Sequence, residues 1–435
     1  MKQNKNTGYT DILFGLLWGD EGKGKIVDTL TPDYNAVLRP NAGPNAGHSV
    51  EIEGKTYVAH HIPCGFAHED KMLICGSGMA INPVSFLEEL GDLEKVNPNL
   101  RKQLYVSHQA TIITPIQVLK DCYREELAGK LGSTKKGISF TYADDALHIG
   151  LRIGDFAGLS ARAMVVKYNE YRNTQIEILE KLYPDISTTE LKNTEGKWMQ
   201  QLEVLIQKIS IVDTVKLANQ LLSSGKNILI EGAQAALLDT RHGCYPYNTS
   251  SHTTPQMLLG YAGLPIHAVR DVIAVTKWYG TRVGGVNPPS TMLPEDNEVF
   301  RKAGNEFGST TGRPRTCAWP DFPMMQHAIK MTHPNKIYVT KTDICPVDEI
   351  QIAVGYVLKN GQTVTEVPMS LEHIESVVYE KMPGWKFDPS DRSAIPKGLE
   401  VFLDTIRKNF PDIQIAGIGT GPARENILMF DKALV

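Results

Sequence analysis

A glycine-rich stretch near the start of the chain, Gly19-Asp20-Glu21-Gly22-Lys23-Gly24-Lys25, has the residue types and spacing of a phosphate-binding loop. It follows an apolar run at 12–18 and precedes a helical pattern over 26–30. A strand, a glycine loop and a helix in this order present backbone N–H groups to phosphate oxygens. Ile26 stands where Ser or Thr usually holds Mg²⁺, so Asp20 is expected either to replace that ligand or to move protons. The stretch therefore predicts a P-loop-like nucleotide site with an acidic residue inside it.

A second turn of small residues, at 41–49, contains a histidine, His48. Closely spaced Gly and Ala residues let a ligand approach the backbone. An imidazole at such a turn could donate a proton or a hydrogen bond near neutral pH. The alternative is a glycine turn with a surface histidine.

A third segment, Gly232 to Ala236, follows a run at 227–231 that is typical of a buried strand. The carboxyl ends of parallel strands are the usual ligand sites of α/β proteins. The Gln234 amide can both donate and accept, as recognition of a base edge requires. The hydroxyl-rich loop at 245–254 is able to bind a phosphate, although a polar turn is the alternative.

Two arginines, Arg313 and Arg315, follow a glycine and hydroxyl stretch at 308–312. Guanidinium groups match carboxylates and phosphates bidentately, so the segment predicts an anion site; a solvated basic turn is the alternative. Farther on, Lys341-Thr342-Asp343 ends a strand pattern, and a K-x-D tripeptide there can read guanine. A glycine loop at 418–422 could close on the same base.

The order of the elements predicts an α/β fold with a large, mainly parallel central sheet and flanking helices. Helical patterns cover 84–96, with Asn82 as the N-cap, 194–222 with a break near 210–212, and 399–409. Residues 350–358 and 362–367 read as a β-hairpin added to this sheet. The expected strands are 11–18, 71–75, 227–230, 272–275, 336–339 and 414–418. We find no linker or repeat, so residues 1–435 are expected to form a single interleaved domain.

The composition is that of an ordinary globular enzyme, with 435 residues, 42% hydrophobic and 22% charged. A net charge of −4 gives no basic field that would favour nucleic acid or acidic membranes. The polar N-terminus and the lack of a long apolar run predict neither a signal peptide nor a membrane span. Six scattered cysteines without a C-x-x-C pair favour reduced thiols and a cytoplasmic location.

Taken together, these segments closely resemble adenylosuccinate synthetase. The matching motifs run in order over nearly the whole chain: WGDEGKGKIVD at 18–28, NAGH at 45–48, EGAQ at 231–234, YPY-TSS at 245–251, GNEFG-TTGRPR at 304–315, TK-D at 340–343 and TGP at 420–422.

The resemblance implies a Mg²⁺-dependent ligase. Such an enzyme moves the γ-phosphate of GTP onto the 6-oxygen of IMP, and the amine of L-aspartate then displaces that phosphate. Asp20 would abstract the N1 proton of the base and ligate Mg²⁺, with the backbone carbonyl of Gly47 as a second ligand. His48 would donate to the phosphate leaving group, Lys23 would neutralise phosphate, and Gln234 would contact the 6-oxygen.

The same resemblance assigns the remaining binding residues. Those of the monophosphate site are Asn45, Thr134, Gln234, Thr249, His148 and Arg313. Those of the aspartate site are Ser309, Thr310, Thr311, Gly312, Arg313 and Arg315. Those of the GTP site are Gly19, Glu21, Gly22, Lys23, Gly24, Lys25, Gly47, Ser49, Arg315, Lys341, Asp343, Gly419, Thr420 and Gly421.

The chain departs from the family pattern mostly around the monophosphate. The departures are Pro44 before the asparagine, an altered stretch at 132–140, His148 in place of an arginine that crosses the dimer interface, Ala235 after the glutamine, Thr316 after Arg315, and Gly419 before TGP. A phage branch that makes 2-aminoadenine precursors from dGMP shares PNAGH and GST with this chain. That branch typically lacks the aspartate and the K-x-D tripeptide, which this chain keeps as Asp20 and at 341–343.

Several alternatives stay open at this point. IMP is the expected substrate because Asp20 and Gln234 are intact, and dGMP is the alternative because its 6-oxo group and N1–H allow the same chemistry. GTP is the expected donor and ATP the alternative. A GTP-binding switch without ligase activity, which needs no carboxylate-binding loop, is a more distant reading. The family also implies a homodimer.

Overall fold

A central sheet of eleven strands organises the fold. The computed structural model describes residues 7–127, 132–284, 287–308, 312–388, 390–391 and 394–430. Within them the strands are β1 (Thr10–Gly15), β2 (Ala36–Ala42), β3 (His48–Ile52), β4 (Lys55–Ala59), β5 (Met72–Ile81), β6 (Leu104–Ser107), β7 (Thr111–Ile112), β8 (Ser210–Val212), β9 (Ile228–Ala235), β10 (Val269–Lys277), β11 (Gly280–Arg282), β12 (Thr316–Ala318), β13 (Lys336–Thr340), β14 (Glu349–Leu358), β15 (Thr363–Val364), β16 (Ile374–Pro383), β17 (Gln414–Gly419) and β18 (Ile427–Met429).

Helices cover the sheet and connect its strands. The described helices are α1 (Lys23–Leu30), α2 (Pro83–Leu93), α3 (Leu100–Gln103), α4 (Pro115–Leu127), α5 (Ile138–Ala146), α6 (Ala161–Leu182), α7 (Thr189–Lys208), α8 (Thr214–Ser223), α9 (Pro255–Ala262), α10 (Pro294–Gly304), α11 (Phe322–Thr332) and α12 (Lys397–Asn409). None of these helices has the length and apolar character to cross a membrane.

The strand order is β18-β17-β13-β10-β1-β9-β2-β5-β6-β8, with β7 beside β5. Strand β1 lies between β10 and β9 and is parallel to both. Among the described strands of this central sheet, only the edge strand β18 pairs antiparallel, with β17. The prediction of a large, mainly parallel sheet with flanking helices is confirmed.

The side chains of β1 pack alternately on the two faces of the sheet, which explains why this strand lies at its centre. Ile12 and Phe14 pack into one hydrophobic core and Leu13 into the other, on the opposite face. Successive side chains of a strand point to opposite faces, so a run that is apolar at every position needs cover on both sides. The neighbouring β9 repeats the pattern with Leu229 opposite Ile228 and Ile230.

The helix signals are largely confirmed. The Asn82 side chain accepts hydrogen bonds from the N–H groups of Val84 and Ser85 and caps α2, which ends at Leu93 rather than at the expected 96. The break near 210–212 is real, because a short strand, β8, separates α7 from α8.

The hairpin prediction needs correction. Strand β14 does pair with β15, but over two residues of β15 only. Its main partner is β16, antiparallel along nearly the whole strand. These three strands form a separate sheet, so the hairpin does not extend the central one. The sequence of β16 mixes charged and apolar residues, and most of them are exposed or half-buried, which hid it from a search for apolar runs.

Candidate active site

A cavity of about 910 Å³ opens at the carboxyl ends of β1, β9, β10 and β13. Its volume is at the upper end of the range for ligand sites. The segments singled out in the sequence meet here, although they are hundreds of residues apart. Predicted site residues that line it are Gly19, Asp20, Glu21, Gly22, Lys23, Gly24, Lys25, Asn45, Gly47, His48, Ser49, Thr134, Gln234, Thr249, Arg313, Arg315, Lys341 and Gly421.

The phosphate loop turns tightly between β1 and α1. Gly19, Asp20 and Gly22 have φ angles of 94°, 59° and 83°, a region that only glycine adopts readily. Helix α1 begins at Lys23, three residues before the expected start, so Lys23 to Lys25 form its first turn. The loop therefore stores strain at Asp20, which is common at functional sites.

The Glu21 carboxylate lies inside the phosphate loop and accepts hydrogen bonds from it. Its Oε1 accepts from the N–H of Gly19 at 2.8 Å and of Leu17 at 3.3 Å, and its Oε2 accepts from Lys23 Nζ at 2.8 Å. Glu21 and Lys23 are both buried. An internal carboxylate thus holds the lysine and one amide donor of the loop in place.

The Asp20 carboxylate contacts Arg315, 295 residues away along the chain. Arg315 Nε donates to Asp20 Oδ2 at 2.8 Å, and Arg315 Nη1 donates to Glu306 Oε2 at 2.7 Å. Glu306 also accepts from Lys277 Nζ at 2.8 Å and from the Tyr279 hydroxyl at 2.6 Å. The buried Glu306 thus fixes Arg315, whose side chain joins the segment at 304–315 to the phosphate loop.

The charges in this network shift the pKa values of its members. Burial opposes ionisation of Glu306, but Lys277 and Arg315 outweigh it and lower the pKa of the carboxyl to about 2. Burial lowers the pKa of Lys277 to about 8, since Glu306 only partly offsets the desolvation of the ammonium. Both groups are therefore charged at pH 7.

His48 lies on the cavity wall with a glutamate behind it. Its Nδ1 is 2.5 Å from Glu231 Oε1, and Glu231 Oε2 accepts from the N–H of Cys64 at 2.7 Å. Burial lowers the pKa of His48 to about 4, although the bond to Glu231 opposes this. Because an ionised carboxylate only accepts, Nδ1 carries the proton and the ring orientation is fixed.

His48, Cys64 and Glu231 also form a compact group of potential metal ligands. A buried imidazole, thiol and carboxylate suit a soft ion rather than Mg²⁺, which prefers oxygen ligands and keeps several waters. Asp20, a carboxylate inside the phosphate loop with 29% of its side chain exposed, fits Mg²⁺ better.

Gln234 is the most informative side chain of the cavity. Its Nε2 and Oε1 are both buried, and neither has a hydrogen-bond partner within the described residues. Its φ of 56° is strained, and it lies at the end of β9 where the register with β1 shifts. Buried polar atoms are normally paired, so an open amide on a cavity wall is suited to a ligand that offers both a donor and an acceptor.

The predicted monophosphate residues assemble at one end of the cavity. Asn45 Nδ2 donates to Thr249 Oγ1 at 3.5 Å, and Thr134 lines the same wall. His148 is exposed, with a φ of 60°, and is not among the described residues that line the cavity of a single chain. Its assignment to the monophosphate stays a prediction.

Of the predicted guanine-reading residues, Lys341 lines the cavity, whereas Asp343 is not among its lining residues. Lys341 Nζ donates to the Gly304 carbonyl at 2.7 Å. Asp343 has one buried carboxylate oxygen, Oδ1, without a partner in the described chain, and burial raises its pKa. Lys25 Nζ donates to the Gly421 carbonyl at 2.7 Å, so it positions the glycine loop at 418–422.

The remaining described residues of the predicted sites are not among those that line the cavity. The Gly419 carbonyl accepts hydrogen bonds from Thr342 N and Oγ1 at 3.1 Å, and Thr420 is buried. Both residues therefore help to hold the glycine loop at 418–422 in place. Gly312 has a φ of 63° next to Arg313 on the cavity wall. Ser309, Thr310 and Thr311 lie outside the described residues.

Sequence reasoning gave no role to several charged residues of the site. Glu306 and Glu231 stand inside the matched motifs at 304–315 and 231–234, so a signal was present. Arg124 on α4 also lines the cavity, but no motif pointed to it.

Comparisons with known proteins agree with this geometry. The family model of adenylosuccinate synthetase matches residues 12–428. The adenylosuccinate synthetase of Caldicellulosiruptor bescii is 37% identical over 430 residues, which cover 96% of this chain and 99% of the relative.

Two solved structures are also similar. The fully ligated adenylosuccinate synthetase from Plasmodium falciparum matches with a TM-score of 0.88 and 31% identity, covering 98% of this chain and all of that one. The succinoaminodeoxyadenylate synthetase of cyanophage S-2L, bound to dGMP and dATP, shares the fold alone, with a TM-score of 0.60, 17% identity and coverage of 97% and 95%. The resemblance is thus confirmed, and this chain belongs to the adenylosuccinate synthetase family.

Proposed function

We propose that this ligase condenses L-aspartate with the 6-oxo position of IMP, using GTP and passing through a 6-phosphoryl intermediate. The observation that carries the proposal is the open amide of Gln234 in the same cavity as the phosphate loop. A 6-oxopurine offers this amide an acceptor at its 6-oxygen and a donor at N1–H. A simple GTP switch would have no use for a second, base-reading site beside the phosphates.

The proton chemistry is assigned to two residues. Asp20 takes the N1 proton, which makes the 6-oxygen a nucleophile, and this requires Arg315 to release part of its hold on that carboxylate. His48, held at Nδ1 by Glu231, presents Nε2 to the phosphoryl group that is later displaced; donation from Nε2 requires the doubly protonated imidazolium, whose pKa the negative charge of that group would raise. Lys23 adds positive charge beside the transferred phosphate.

Mg²⁺ would be held by the Asp20 carboxylate and the Gly47 carbonyl, both on the cavity wall. When bound, it would neutralise charge on the phosphates during transfer. The chain's own part is to place two anions, Asp20 and the donor phosphate, close enough to share a cation.

The other substrates are assigned by the charges around them. Arg313 and Arg315 suit the carboxylates of aspartate. Asp343 can accept the ring N–H and the amino group of guanine, which favours GTP over ATP. We also propose that residues 1–435 act as one interleaved domain, as a homodimer, in the cytoplasm.

The competing candidate is the same chemistry on dGMP. The motifs PNAGH and GST, which the chain shares with the phage branch, favour it, whereas intact Asp20 and the Lys341–Asp343 pair favour IMP and GTP. A substrate panel decides: purified protein, Mg²⁺ and aspartate with GTP or ATP are tested against IMP, dIMP, GMP and dGMP. We expect an adenylosuccinate-type absorbance change with IMP. Turnover with dGMP alone would overturn the choice of substrate, and aspartate-independent hydrolysis of GTP would overturn the ligase.

A further inference from the structure

Arg124, in the last turn of α4, lines the cavity together with the hydroxyl-bearing residues Ser133, Ser139 and Ser250. Its Nη2 donates to Ser139 Oγ at 3.3 Å, and Ser250 Oγ donates to that same hydroxyl at 3.0 Å. Ser250 follows Thr249, which contacts Asn45. The arginine is therefore continuous with the hydroxyls and amide that form the predicted monophosphate site.

The guanidinium group of Arg124 is only weakly satisfied by the protein. Its Nε is buried and has no hydrogen-bond partner among the described residues. The nearest carboxylate, Asp121, is 3.7 Å away. That carboxylate already accepts from Ser133 Oγ at 2.7 Å and from the N–H of Gly137 at 2.9 Å. A buried donor without a partner is costly, so the site favours an added acceptor.

The guanidinium group of Arg124 packs against the ring of Phe140. Its central carbon lies 5.1 Å from the centre of the Phe140 ring, within the range of a cation–π contact. The side chain is 33% exposed, so it is held in place and still open to the cavity. A planar fork of donors presented this way matches the oxygens of a phosphate.

We propose that Arg124 supplies, within one subunit, the cation that binds the 5′-phosphate of the nucleoside monophosphate. The inference rests on the proposed function, since it names a contact to that substrate. Lys135 is a poorer candidate because it is not among the described residues that line the cavity, whereas Arg124 is. Arg124 would thereby set the preference for a monophosphate over the free nucleoside.

The test compares binding of IMP and of inosine, which lacks the phosphate, by calorimetry without GTP. Arg124→Gln should weaken IMP binding by about ten- to hundredfold, as expected for the loss of a charge-assisted hydrogen bond, and leave inosine within about twofold. Arg124→Lys should restore part of the loss, since it keeps the charge without the fork. The matched control is Arg101→Gln, whose guanidinium pairs with Glu94 at the surface and should leave both affinities unchanged.

The other outcomes would overturn either the role of Arg124 or the proposed function. Equal losses for IMP and inosine would show a merely structural role and overturn the inference, as would unchanged IMP binding. A phosphate-dependent loss in His148→Ala but not in Arg124→Gln would give the cation to His148 and also overturn it. If the unaltered enzyme binds neither IMP nor dGMP, the proposed function itself fails, which is distinct from a failure of Arg124 alone.

Discussion

Replacing Glu306 with Gln removes one negative charge from the centre of the network that joins Arg315 to the phosphate loop. The glutamine keeps the size of the side chain, and its amide oxygen, placed where Glu306 Oε2 lies, can accept from Lys277 and Arg315 but leaves the Tyr279 hydroxyl facing the amide N–H₂. Two buried cations then share a neutral partner, and the amide N–H₂ faces donors. Arg315 retains Asp20 as its remaining carboxylate.

The expected cost follows from the pKa of Glu306, which folding lowers from 4.5 to about 2. A shift of this size corresponds to roughly 3 kcal/mol, the range seen when one member of a buried ion pair is removed. Because the folded pKa is the lower one, this stabilisation is fully present above pH 4.5 and is lost as the pH falls towards 2. Glu306→Gln should therefore reduce the free energy of unfolding at pH 7 by about 3 kcal/mol.

The assay is urea unfolding at pH 7, followed by steady-state kinetics on the folded variant. We expect kcat/KM for aspartate to fall by about ten- to hundredfold, because Arg315 loses its anchor. The matched control is Glu298→Gln on α10, which removes an exposed partner of Lys302 and should change neither quantity measurably. An unfolding free energy and a kcat/KM for Glu306→Gln that equal those of this control would refute the role assigned to the network.

Three further changes probe other parts of the structure. His48→Asn should lower kcat by about a hundredfold or more and change the KM for IMP little, since its role is in the transition state; an effect on KM alone would contradict that role. Asp343→Asn should raise the KM for GTP about tenfold or more and reduce the preference over ATP; an unchanged preference would mean that guanine is not read there. Burial raises the pKa of Asp321 to about 6 from 3.8, so its stabilising effect is complete below pH 3.8 and is lost as the pH rises through 6. Asp321→Asn should therefore be more stable than the parent at pH 8, by up to about 3 kcal/mol, and lose this advantage near pH 4; pH-independent unfolding differences in urea would contradict it.

Six strands of the central sheet (β1, β5, β9, β10, β13 and β17) could be predicted because their signals are local. β1 and β9 are apolar at successive positions, as strands covered on both faces must be. The cap at Asn82 was readable for the same reason, since it depends on four neighbouring residues. Strand β16 carries no such signal, because its stability comes from pairing with β14 rather than from burial.

The site was predictable at the level of motifs but not of contacts. The phosphate loop, His48 and Gln234 were found because glycine spacing and side-chain chemistry limit what those segments can do. The ion pair between Asp20 and Arg315 spans 295 residues, and no local pattern encodes it. Arg124 beside Ser139 was missed for the same physical reason, because its role depends on which helices and loops become neighbours. Glu231 stands inside a matched motif, but only the fold shows that it faces His48.

The most direct test follows the 6-oxygen of the purine. IMP labelled with oxygen-18 at position 6 is incubated with the enzyme, Mg²⁺, GTP and aspartate, and the inorganic phosphate is examined by mass spectrometry. If the 6-oxygen is phosphorylated and the amine of aspartate then displaces it, the label must leave with the phosphate, in step with product. Phosphate released without the label, or released at the same rate without aspartate, would contradict the ligase chemistry proposed for this cavity.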